Sequence, residues 1–213
     1  MTLALVAALL AAATPAALPS SRPVLVVVVQ QETSTLFDPK ALKEIDRDVR
    51  RAWRPYADVA LRAASDTSPI AADDVLTLVI TDRRSDAGGG LGWIQFEGDR
   101  PSRTIHVSRT EVERLGEQGR WVGRNIADLA PKAQQIFVQR AMAFAIAHEV
   151  GHYLLRSKAH AATGLMRARF TSDELMRAAP GKYRLGAVER AILGQRLRGY
   201  LLARNGAVDE PMP

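Results

Sequence analysis

Two kinds of apolar pattern alternate along the first half of the chain. Pro23 to Gln30 encloses an unbroken apolar run, Val24-Leu25-Val26-Val27-Val28-Val29. A mostly β-branched run of that length predicts a strand buried on both faces. Val75-Leu76-Thr77-Leu78-Val79-Ile80, within Asp73 to Thr81, predicts a second. Between them Leu42, Ile45, Val49 and Trp53 recur at helical spacing. Asp38-Pro39 supplies a cap and a first helical residue. Pro55 kinks or ends this helix, and a related stretch runs on to about Ala64. Strand, helix, strand predicts a right-handed crossover between parallel strands.

Trp93-Ile94-Gln95-Phe96 predicts a short strand, and Thr104 to Ser108 another with alternating character. His106, inside the latter, reads as a structural strand residue. Ser85 to Gly92 carries Gly88-Gly89-Gly90 and reads as a flexible connection. No Gly-Lys-Ser/Thr ending follows, so it is not a phosphate-binding loop. Glu111 to Glu117 looks helical. From Pro131 to about Leu155 apolar residues predominate on all sides, predicting one long, largely buried helix. A last helix, about Gly186 to Ala203, carries Val188, Ile192, Leu193, Leu197 and Leu201 and is expected to pack back on the core. The fold class expected is α+β with an α/β-like N-terminal part.

Composition narrows this picture. The chain has 213 residues, enough for one core, and its 47% hydrophobic and 24% charged content is that of a globular protein. It has no cysteine, which excludes disulfides, thiolate metal ligands and a cysteine nucleophile. The formal charge is +6, with arginines spread along most of the chain. Without a nucleic-acid-binding motif this reads as a solvated basic surface, and no nucleic-acid partner is expected. Met1 to Ala17 carries no charged side chain, and Leu3 to Ala13 is apolar. Residues 1–16 read as a secretory signal cleaved near Ala16; the run is shorter than the roughly 20 residues of a bilayer span. The expected product is secreted or periplasmic, without stable membrane insertion.

The chemistry concentrates at His148-Glu149-Val150-Gly151-His152. Histidines four apart on a helix differ by about 40° around its axis and one turn along it, so both can hold one metal ion. Three of the four histidines, His148, His152 and His160, lie within thirteen residues. The preceding Ala141 to Ala147 is apolar throughout, so this part of the helix is buried. Burying two histidines and a glutamate is costly unless they are paired or coordinated, which points to a Zn2+ site. Glu149 is the expected catalytic base for a water on that ion, acting on a peptide or protein substrate. Gly151 costs about 1 kcal/mol of helix propensity relative to alanine. Close packing or the metal geometry must require it.

From His148 the chain reads H-E-V-G-H-Y-L-L-R-S-K-A-H-A-A-T-G-L-M, ending at Met166. This resembles the metzincin clan of zinc peptidases, whose motif is H-E-x-x-H-x-x-G-x-x-H followed by a methionine in a tight turn. The family glycine is Leu155 here, the third-histidine position is Lys158, and His160 comes two residues late. The resemblance implies metal ligands His148, His152 and His160, with the chain turning between Arg156 and Ala159 and Gly164-Leu165-Met166 as the Met-turn. It implies a zincin-like fold: a twisted, mostly parallel sheet with one antiparallel edge strand, the active-site helix, and a small helical C-terminal subdomain. Trp93 to Phe96 would be the edge strand beside the cleft, and Arg167 to Thr171 would shape the specificity pocket. Residues 17–213 would form one catalytic domain, divided at residues 155 and 156 into subdomains 23–155 and 156–213. The activity implied is that of a zinc-dependent endopeptidase.

Other readings stay open. Glu174 is a rival third ligand, as in gluzincin peptidases, although Thr171 and Glu174 also form a capping box. Glu189 is a further carboxylate candidate. Tyr153 and Tyr183 are candidate oxyanion donors. A non-catalytic exported zinc-binding protein is the alternative outside enzymology.

Overall fold

A computed structural model describes residues 22–84, 90–177 and 183–206. The proposed signal segment and the centre of the glycine-rich loop lie outside the described residues.

Five strands form one sheet. β1 (Val24–Glu32), β2 (Asp58–Ala63), β3 (Asp74–Thr81), β4 (Gly92–Glu97) and β5 (Arg100–Ser108) lie in the order β2-β1-β3-β5-β4. All neighbours are parallel except β4 and β5, so β4 is an antiparallel edge strand. The two apolar runs, β1 and β3, lie side by side inside the sheet. Leu25, Val27 and Val29 with Leu76, Leu78 and Ile80 join the core, whereas Val24, Val28, Val75 and Thr77 on the opposite face are only half-buried, so the expected burial on both faces holds in part.

α1 (Pro39–Trp53) begins where expected, with the Asp38 side chain accepting from the Ala41 amide at 2.7 Å. It ends at Trp53, ahead of Pro55. The stretch to Ala64, expected as a continuation of the helix, is instead strand β2, which pairs with β1 from Val24↔Asp58 to Val29↔Ala63. Its sequence, Asp-Val-Ala-Leu-Arg-Ala, has no strong strand preference of its own. The open hydrogen-bonding edge of β1 recruits it. The route from β1 to β3 therefore passes through β2.

α2 (Arg109–Gln118) follows β5, and a small hairpin of β6 (Arg120–Trp121) and β7 (Arg124–Asn125) follows α2. α3 (Pro131–Leu155) crosses the molecule as a 25-residue helix, buried without interruption from Ala141 to His152. Trp53 of α1 donates its indole N–H to the Ala147 carbonyl of α3 at 3.1 Å, tying the two helices in the core. α4 (Ser172–Arg177) and α5 (Ala187–Gly206) complete the chain. Leu193 and Leu197 of α5 are buried, but Val188 and Ile192, expected on the same packed face, are exposed, and the Leu201 side chain lies outside the described residues, so the expected packing holds in part. Among the described residues no helix is long and apolar enough to cross a membrane.

Candidate metal centre

The last turns of α3 present His148, Glu149 and His152 from inside the core; all three are less than 9% exposed. The helix stops at Leu155 because Arg156 adopts the left-handed conformation, φ 45°. Its N–H bonds back to the His152 and Tyr153 carbonyls. A non-glycine residue pays roughly 1–2 kcal/mol for that conformation. The turn thus falls one residue after the position of the motif glycine. It also falls where the displaced histidine demands an exit from the helix.

The returning chain brings His160 back to the helix. A bridge pairs Ala161 with Arg167, and the Ala161 amide donates to the Met166 carbonyl at 2.8 Å. Gly164, at φ 77°, makes the turn between them; a Cβ there would meet the Arg184 carbonyl oxygen at 2.4 Å. One ring nitrogen from each of His148, His152 and His160 lies within 4.8 Å of the other two.

The polarity of the ring nitrogens is fixed by backbone carbonyls. His148 Nδ1 lies 2.8 Å from the Leu165 carbonyl, and His152 Nδ1 lies 2.6 Å from the Ser157 carbonyl. A carbonyl only accepts, so in each ring the proton sits on Nδ1. The two Nε2 atoms then face each other as lone pairs at 3.0 Å. Protonating one ring fully would relieve the contact. Burial opposes this, holding His148 down to about 4 and His152 below the usual imidazole value, with the neighbouring histidines adding to it. A shared cation resolves the contact. Two tetrahedral zinc ligands at roughly 2.0–2.1 Å stand about 3.3 Å apart, close to this spacing. The donor set, three imidazoles with carbonyl partners behind two of them, fits zinc.

Glu149 opens onto a cleft of about 640 Å³ whose lining also includes the three histidines. No hydrogen bond or ion pair holds its carboxylate among the described residues, and burial alone pushes its pKa up to about 8. Gly92, at the start of β4, makes room for it: a Cβ there would stand 3.0 Å from Glu149 Cγ and 2.8 Å from the His106 carbonyl oxygen. Gly151 has an equally local cause. A Cβ on it would meet the Met166 sulfur at 2.2 Å, so the glycine admits the methionine against the helix beneath the histidines. That is the close packing its sequence position implied.

The other candidates lie elsewhere. Glu174 is in its capping box, accepting from the Thr171 amide at 2.9 Å and from Arg167 at 2.8 Å. These bonds hold its carboxyl down to about 2 and commit both oxygens. Glu189 sits in the first turn of α5, against Gly186. Tyr153 donates to Asp74, away from the histidines. Tyr183 packs on Phe144, and its buried hydroxyl has no hydrogen-bond partner among the described residues. Neither tyrosine lines the cleft. His106 stacks on its cross-strand neighbour Trp93, ring centroids 4.9 Å apart. β4 does line the cleft, through Gly92, Trp93, Ile94 and Phe96, and Arg167 to Phe170 form part of its wall. Sequence reasoning missed Lys158, which stands in the cleft, and the role of Gly92. A lone lysine and a glycine after a glycine-rich loop carry no periodic signal that would single them out.

No known family model matches the chain, and no curated protein matches it. Among solved structures, an archaemetzincin from Methanopyrus kandleri is similar at 17% identity and TM-score 0.49, covering 84% of this chain and 97% of that one. Metalloproteinase-II from Bacteroides fragilis is similar at 11% identity and TM-score 0.43, covering 84% of this chain and 55% of that one.

Proposed function

We propose that the protein is a zinc-dependent endopeptidase in which His148, His152 and His160 hold the metal and Glu149 is the catalytic base. The observation that carries this reading is the convergence of three imidazoles beside a buried carboxylate that no group engages among the described residues, all open to one cleft. A structural site has no use for such a carboxylate; a hydrolytic one requires it.

Zinc, when bound, supplies a Lewis acid and lowers the pKa of water toward about 7. The chain's own residues do the rest. The Leu165 and Ser157 carbonyls hold two imidazoles with Nε2 toward the centre. Glu149, a carboxyl of raised pKa, takes a proton at its carboxylate oxygen and returns it to the departing amine. The edge strand β4 offers its free backbone groups to an extended peptide by strand addition. Export is part of the same proposal, supported by the uncharged apolar run Leu3 to Ala13.

The test compares wild type with Glu149→Gln, both loaded with zinc. Wild type should bind one zinc per chain and cleave peptides. The variant should keep the metal and lose roughly 10²–10⁴ in kcat. Retained turnover in Glu149→Gln, or no stoichiometric zinc in wild type, would overturn the assignment.

A further inference from the structure

The charge of the cleft is one-sided. Its lining includes three cations, Lys158, Arg167 and Arg169, and a single acid, Glu149. Glu149 is buried, so it does little to offset cations at the rim. Arg167 is neutralised by Glu174 at 2.8 Å and lies over the Phe170 ring at 4.2 Å, which makes it part of the wall. Lys158 and Arg169 have no ion-pair partner among the described residues.

Lys158 has the more definite placement. Its ammonium stands 5.3 Å from the centre of the Phe96 ring. It therefore reaches from the loop after α3 across to the far end of β4. Gly92, at the other end of β4, touches the space of Glu149. Four strand residues span about 13 Å, so Lys158 lies about four substrate residues along the strand from the catalytic carboxylate. A peptide paired with β4 along its length would run past this ammonium, which the Phe96 face steadies by cation–π attraction.

We propose that the cleft selects peptides with acidic side chains flanking the cleaved bond, and that Lys158 is a specificity-determining residue for them. The proposal rests on the peptidase reading above. The position that the zinc-peptidase motif reserves for a histidine is here a free cation at the substrate's path. An ammonium at the mouth of an apolar-walled cleft attracts a carboxylate and repels a lysine. Together these effects amount to about a tenfold difference at most at this exposed site, and less at high salt.

The test uses the zinc-loaded full chain and peptides blocked at both ends, so that only side-chain carboxylates vary. Glu, Gln and Lys are placed in turn at each of four positions on either side of the cleaved bond. Wild type should show kcat/KM about tenfold higher for Glu than for Lys at one or more positions, and Lys158→Glu should invert the order at that position alone. Equal rates for the three residues, or an unchanged acidic preference in Lys158→Glu, would overturn the proposal. Anisotropy with the same peptides on zinc-loaded Glu149→Gln reads binding without turnover. Binding that favours Glu and depends on Lys158, with no cleavage by wild type, would sink the peptidase reading and leave this inference standing. Cleavage without acidic bias would do the reverse.

Discussion

The candidate centre is built from two regions of opposite character. His148 and His152 stand on α3, in the most continuously buried part of the chain, with a hydrogen-bonded helical backbone beneath them. His160 is exposed and stands on a loop, steadied by a single bridge between Ala161 and Arg167 and by the turn at Gly164. The helix holds its pair before any metal arrives, and the loop must be held by contacts with the helix. Those contacts run through the Leu165 and Ser157 carbonyls, which accept from the two helix imidazoles, and through Met166 against Gly151. Under the proposed zinc reading, the rigid half supplies most of the affinity, and the loop half completes the set and shapes the cleft wall.

Removing ligands tests this division most strongly. Structural zinc sites are worth roughly 10–16 kcal/mol, so one strongly held ligand accounts for about 3 kcal/mol or more. His148→Ala and His152→Ala should each lower zinc affinity at least about a hundredfold, and His160→Ala only about tenfold, by competition with a chelating dye. Equal losses for all three would mean that the loop is as rigid as the helix.

The seam between the two regions comes next. Gly151→Ala gains about 1 kcal/mol of helix propensity but drives a methyl into the Met166 sulfur, and overpacking of a tight core costs about 1–3 kcal/mol. The melting temperature of the zinc-free protein should fall by a few degrees, and Gly151→Ala should cost less, or stabilise, when introduced into a Met166→Ala chain, where the sulfur it meets is gone. A rise in Gly151→Ala alone would show that Met166 does not press on the helix.

The smallest effect concerns the first turn of α4, where the loop ends. Glu174 is held down to about 2 from an ordinary value of 4.5, chiefly by the Thr171 amide and then by Arg167. Its carboxylate therefore contributes stability that is fully present above about pH 4.5 and is lost as pH falls toward 2. The group is partly exposed, so the contribution is about 1 kcal/mol or less. Glu174→Gln should lower the melting temperature slightly at pH 7 and flatten its decline between pH 4.5 and 2. Parallel curves for the two proteins would remove Glu174 as the anchor of Arg167.

Much of this was legible in the chain because it is local. The buried strands β1 and β3, the cap of α1, the span of α3 and the spacing of His148, Glu149 and His152 follow from runs and periods of a few residues. Strand β2 was not legible: Val59, Ala60 and Leu61 suit a helix as well as a strand, and only the open edge of β1 decides between them. The end of α3 near Leu155 was legible, but the residue that makes the turn, Arg156, has no intrinsic taste for φ 45°, and only packing puts it there.

The sequence alone determined that two imidazoles and a carboxylate share one buried helical face, because a 3.6-residue period dictates it. Only the tertiary structure decided which group joins them. The fold returns His160 to the helix and binds Glu174 into a cap, and it turns Lys158 over Phe96. These placements depend on contacts between segments far apart in the chain, where no local period carries information and the packing of the loop against α3 does.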